Sequence, residues 1–276
     1  MVVSAANWSV VSAATLEATG SFNVAVGRQA LNANTSGGSN VAVGDNAMNS
    51  STSASTCVAV GYLSLYTNTS GSNMALGAYA MRYNTTGTGN TAVGSNDGIQ
   101  DGALYRNTTG HYNVSVGTGS LNANTTGSSN VAIGYLSMGA NTTANNNTAV
   151  GYQAGYSNTT GILNSYFGSN AGYSNTTGNS NCGFGFYSLQ ANTAAENAGF
   201  GYYTLAGNTS GTANTALGSY ALRNNTTASN NTAVGYQAAY SNTTGANINA
   251  FGYKALGFNT YGNKNNAFLP HSFGLE

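Results

Sequence analysis

A glycine returns every seventeenth residue of this chain, and the same phrase comes back with it: Asn-x-Ala-Val-Gly-x-x-Ala-Leu, a short polar stretch, then Asn-Thr-Thr-Gly. The glycines are Gly27, Gly44, Gly61, Gly77, Gly94, Gly117, Gly134, Gly151, Gly168, Gly185, Gly201, Gly218, Gly235 and Gly252, spaced by 17 except for 16 before Gly77 and Gly201 and 23 before Gly117. Self-similarity at one short period predicts a solenoid, whose units bury their apolar faces only against their neighbours. The array predicts a fibre or an adhesive surface rather than an enzyme.

With each glycine as position zero, the residue at −1 is always large and apolar (Val26, Val43, Leu76, Ile133, Phe167, Phe184, Phe200), and the residue at −2 is small, with Tyr166 the main exception. Alternate strand residues face opposite ways. The expectation is that the large row fills the core and the small row faces outward. Phe184→Ala then costs roughly 3–5 kcal/mol, and Gly155, Gly172 and Gly183 offset the bulk of the Phe side chains. At +3 and +4 come a small and an apolar residue (Ala30-Leu31, Ala47-Met48, Ala221-Leu222), read as a second short strand across a narrow roll. Helix is the poorer reading, because Gly, Asn and Thr are too frequent and no segment has helical period.

The second corner carries Asn at +7 in every repeat except Ser51, followed by an unchanging Thr. These residues close turns through local side-chain bonds. Stacked in register, the Asn row predicts a ladder, and the Asn at −4 (Asn23, Asn40, Asn73, Asn90) a second one. The many Asn-x-Thr/Ser triplets match the N-glycosylation acceptor, but one fixed repeat position points to turn chemistry. The adjacent Thr residues likewise read as turn patterning and not as an ice-binding face, which needs Thr at alternate positions.

Charge is sparse, six basic and six acidic residues for net zero, which argues against nucleic acid as a partner. No apolar run reaches the roughly 20 residues of a membrane span. Cys57 and Cys182 stand seven repeats apart, roughly 34 Å at ~4.8 Å per coil, and read as unpaired thiols. Neither a nucleophile–base pair nor repeated Asp ligands recur, so no catalytic residue, cofactor or metal is expected. The long gap holds a six-residue insertion, Asp97 to Gly102, read as a surface loop whose Asp97, Ile99 and Asp101 are candidate contact residues. Tyr follows the glycine directly at Tyr62, Tyr135, Tyr152, Tyr202, Tyr236 and Tyr253, and recurs at +5, with the insertion set aside, in Tyr66, Tyr105, Tyr156, Tyr173 and Tyr240. Of these, Tyr62, Tyr135, Tyr152 and Tyr236 are the candidate contacts. Aromatic rows with polar tips suit packing between chains, a host-surface protein, or a glycan.

The phrase Asn130-Val131-Ala132-Ile133-Gly134-Tyr135-Leu136-Ser137 resembles the head repeat of the YadA-type trimeric autotransporter adhesins. The longer form, Asn147 through Gly161, is similar to repeats of phage tail-fibre-like proteins. The resemblance implies a left-handed parallel β-roll and association as a trimer, with end-to-end filaments as the rival. The expected fold is all-β, a parallel β-roll of about fourteen 17-residue coils. The expected divisions are an N-terminal cap over 1–22 (with Trp8 and Leu16), the array over 23–262 and a C-terminal cap over 263–276 (with Pro270). The absence of a visible secretory leader, heptad stalk or anchor favours a virion fibre, partnered by other fibre or virion proteins, over a bacterial cell-surface adhesin head. An ice-binding solenoid ranks third.

Overall fold

The computed structural model describes residues 19–268; Trp8, Leu16 and Pro270 lie outside them. Where repeat continuity predicts one elongated domain, the chain forms two compact units, one running through Ala144 and one starting at Asn145. All regular structure among the described residues is β, one three-residue strand per coil. The first unit holds β1 (Val24–Val26), β2 (Val41–Val43), β3 (Val58–Val60), β4 (Met74–Leu76), β5 (Thr91–Val93), β6 (Val114–Val116) and β7 (Val131–Ile133). The second holds β8 (Thr148–Val150), β9 (Ser165–Phe167), β10 (Cys182–Phe184), β11 (Ala198–Phe200), β12 (Thr215–Leu217), β13 (Thr232–Val234), β14 (Asn249–Phe251) and β15 (Asn266–Phe268). Within each unit successive strands pair in parallel and in register, Val24 on Val41 and Thr215 on Thr232. Each repeat position therefore becomes a row of like residues. Each unit is a parallel β-solenoid.

The repeat glycine is required twice over. Its φ is positive (+124° at Gly27, +136° at Gly61), and a Cβ on Gly27 would stand 2.7 Å from the carbonyl carbon of Gly44 in the next coil. Left-handed backbone and close approach both exclude a side chain there.

The expected inside and outside are exchanged. The small row is the core: Ala42, Ala59, Ala75, Ala92 and Ala132 in the first unit, and Ala149, Ala216, Ala233 and Ala250 in the second, have no accessible surface. The large row faces out, with Leu76 47% and Leu217 50% exposed. Opposite the alanines lie Leu31, Met48, Leu65, Met81, Leu104, Leu121 and Met138, and in the second unit Leu189, Leu205 and Leu222, all buried. A coil this short leaves room for one large row, and the Leu/Met row at +4 occupies it. Each such side chain contributes roughly 1.5–3 kcal/mol by leaving water, so the core rests on this row rather than on the Val/Phe row.

The second limb is turns, not a strand. Leu31 (φ +53°), Met48 (+50°) and Leu222 (+50°) are left-handed, as are residues two places earlier such as Gln29 and Tyr220. Left-handed non-glycine residues cost roughly 1–2 kcal/mol each. The cost is offset by pointing backbone groups along the axis, where Leu31 N–H reaches the Ala47 carbonyl at 3.0 Å and Ala33 N–H that of Asn49 at 3.0 Å. The winding also overruns the expected caps. Thr19 N–H bonds the Thr35 carbonyl at 2.7 Å, and β15 pairs with β14 beyond residue 262.

Candidate functional site

Inside the second corner the Asn residues form both expected ladders. In the first unit Asn84 Nδ2 donates to Asn68 Oδ1 (2.6 Å), Asn107 to Asn84 (2.7 Å) and Asn124 to Asn107 (2.8 Å). Each amide also bonds a carbonyl two or three residues on, as Asn68 does with Ser70 and Asn107 with Gly110. The second unit repeats this, Asn208 to Asn192 and Asn225 to Asn208. The −4 row accepts the next coil's backbone N–H, as Asn73 does from Asn90 and Asn164 from Asn181. The amides of the glycosylation-like triplets Asn68, Asn107, Asn124 and Asn208 are thus buried structural bonds. The neighbouring Thr hydroxyls donate to the next coil, Thr108 Oγ1 to Thr125 O and Thr226 Oγ1 to Thr243 O. Both rows belong to the fold and leave little for a partner.

What remains for partners is the outer surface, and three parts of it carry the expected contact residues and the repeated apolar and aromatic rows. The first is the outward strand face. In the first unit it carries Val24 and Val26 through Val131 and Ile133; in the second the −1 row holds Phe167, Phe184 and Phe200, stacked at 4.5 and 5.3 Å. Phe184 is half-buried in this row, so the cost expected for Phe184→Ala as a core cavity does not apply to it.

The second part is the aromatic band over +1, +2 and +5. Tyr62, Tyr152 and Tyr236 are exposed and Tyr135 is half-buried. Tyr62 meets Tyr79 edge-on at 5.2 Å in the first unit, and Tyr236 stacks on Tyr253 at 5.5 Å in the second. The band is thicker than the sequence reading allowed, because Tyr79, Tyr187, Tyr203 and Tyr220 at +2 join it. Two arginines at +5 organise it. Arg223 lies 5.4, 5.6 and 5.8 Å from the ring centres of Tyr203, Tyr220 and Tyr240, and its Nη1 donates to Tyr240 Oη at 2.7 Å. Arg82 lies 5.2 Å from Tyr79, 5.1 Å from Tyr83 and 6.0 Å from Tyr66, with Nη1 3.3 Å from Tyr105 Oη. The readable signal was Ala-Met-Arg and Ala-Leu-Arg directly after a +2 Tyr, which sets the arginine three residues beyond the ring.

The third part is the insertion. Ile99 is 85% exposed. Asp97 turns onto its own loop, accepting the N–H groups of Ile99 (2.9 Å) and Gln100 (2.7 Å), and these amides hold its carboxyl below the usual range. Asp101 pairs with Arg106 at 3.6 Å. The insertion brings Asp97, Ile99 and Asp101 into one loop but not beside Tyr62 or Tyr135 in a single pocket. Among the described residues no three His, Cys, Asp or Glu side chains come together, and no helix is long and apolar enough to cross a membrane. Cys57 and Cys182 are both free thiols.

Comparison with protein families, with curated proteins and with solved structures returns no match for this chain.

Proposed function

We propose that the chain is a non-enzymatic structural fibre or adhesion protein, a tail-fibre-like virion component that associates side by side with copies of itself and displays its aromatic band. The observation that carries this reading is the outward strand face. Its apolar rows are longer than the scattered apolar residues of an ordinary surface, and they repeat once per coil. A second copy carries the same rows at the same spacing, so two parallel faces interdigitate without any further design. A nearly uncharged surface adds no repulsion between copies. The likeness of the repeat to trimeric adhesin heads supports three copies around the face, outside a cell or on a virion. The head of a bacterial adhesin rests on the same rows; a leader and an anchor encoded with the array decide for it.

Light scattering on purified protein tests the reading. The expected result is a trimer at micromolar concentration, converted to monomer by Phe184→Glu with its β-type circular dichroism retained. A homogeneous wild-type monomer overturns it.

A further inference from the structure

We infer that the second unit carries a binding site for a carboxylated sugar, in the notch between Gln190 and Arg223. This deepens the adhesive half of the proposed function and does not use the strand face. The +5 row there reads Gln190, Ala206, Arg223 in three successive coils, so the alanine leaves a gap between two long polar side chains. The gap is an open notch of about 180 Å³ lined by Gln190, Tyr203, Ala206, Gly207, Arg223 and Asn224. That is smaller than the ~300 Å³ at which pockets for drug-sized ligands begin, and suits one sugar ring.

The chemistry of the wall points to an anion with hydroxyls. Among the described residues Arg223 has no carboxylate partner, its place being taken by three tyrosine rings. The rings and the bond from Nη1 to Tyr240 fix the guanidinium plane, while Nε and Nη2 bond no protein acceptor. A fixed guanidinium with two free donors is the geometry that takes a carboxylate. Among the described residues the side-chain amides of Gln190 and Asn224 also bond no protein group, and offer donors and acceptors to ring hydroxyls. The faces of Tyr203 are covered by Tyr187 (5.0 Å) and Tyr220 (6.0 Å), so it contributes edge and hydroxyl rather than a stacking face. One cation favours a monocarboxylate over a multiply charged phosphate.

The first unit supplies the contrast. Arg82 sits in a like cage, with its Nε buried and unbonded, but the residue one coil before it in the +5 row is Tyr66, whose ring lies 6.0 Å from the guanidinium. Tyr66 fills the place that Ala206 leaves open. The arginine cage alone is therefore structural, and the missing side chain makes the site.

Saturation-transfer NMR on the full chain, with glucuronic acid and N-acetylneuraminic acid as probes and glucose and a glutamate tripeptide as controls, tests this. Both carboxylated sugars are expected to give signal that fades with salt, and glucose none. Arg223→Gln should weaken binding about tenfold or more, the loss of a charged hydrogen-bonded pair. Ala206→Tyr should abolish binding with Arg223 intact, which keeps the test valid if Arg223→Gln fails to fold, and Arg82→Gln should leave it unchanged. Absence of signal from both acids, equal signal from glucose, tighter binding of the peptide, or unaltered binding by Ala206→Tyr each overturns the site. Phe184→Glu separates the two proposals, since it breaks association and should leave sugar binding per chain intact.

Discussion

Gly172 packs against the ring of Tyr166 in the second unit so closely that a Cβ at 172 would enter the ring. Tyr166 holds a place that is alanine in most coils, and it is fully buried, with Gly172 and Gly183 both against it. One large side chain has moved from the Leu/Met row to the alanine row, and the interior volume is conserved.

Replacing Tyr166 by Ala should therefore destabilise the second unit by about 3–5 kcal/mol, because the glycines opposite leave nothing to collapse into the space. Tyr166→Phe should be neutral or stabilising by about 1 kcal/mol. The phenol lies beside Asn181 yet makes no hydrogen bond, and burial pushes its pKa up; removing an unpaired buried hydroxyl removes a desolvation penalty. Urea unfolding of the two variants checks both signs.

The alternation was legible in the sequence, but its polarity was not. Size variation at −1 from Val26 to Phe184, against near-invariance at −2, signals a solvent row and a tightly walled core row. Packed interiors tolerate little change in volume. The one large residue in that row, Tyr166, is matched by glycines on the inner rows, which would have fixed the direction. The Asn ladders were legible because a row of identical amides has one way to satisfy itself. The turn limb was not, since nothing in Leu31 or Met48 announces a left-handed backbone; inter-coil hydrogen bonds impose it. The Ala206 notch escaped because it depends on which residue is missing beside Arg223.

Breaking a ladder should cost more than the bond it removes. Asn107→Ala takes away the donor to Asn84 Oδ1 and to Gly110 O, and the acceptor for Asn124 Nδ2, all buried. Leaving buried partners unsatisfied costs roughly 1–3 kcal/mol for each group. Thermal unfolding of the first unit should shift down accordingly, while Asn122→Ala, at a half-buried position outside both ladders, should move it far less.

Cys57 replaces an Asn of the −4 row and is buried, with its Sγ 3.4 Å from Asn68 Nδ2. Burial pushes the thiol above its ordinary value of 9.0. The folded state therefore holds its proton more tightly than the unfolded chain. Its contribution is complete below pH 9.0 and is lost as pH rises from there through the raised folded value. The expected result is an alkaline decline in first-unit stability that Cys57→Ala abolishes, measured by denaturant titration between neutral and alkaline pH. An identical decline in both proteins would assign it to other groups.

Cys182 offers a built-in reporter for the strand face. It stands two residues from Phe184 in β10, hence on the same outward side, and it is half-buried where Cys57 is fully buried. If copies pack through this face, Cys182 is covered by assembly while Cys57 is covered by folding alone. Labelling with a maleimide should then modify Cys182 quickly in dilute protein and slowly at concentrations where light scattering reports the trimer, and Cys57 at neither. Phe184→Glu should restore fast labelling at every concentration. A Cys182 rate that ignores concentration while the trimer forms would move the interface to another part of the coil, with the aromatic band the next face to test.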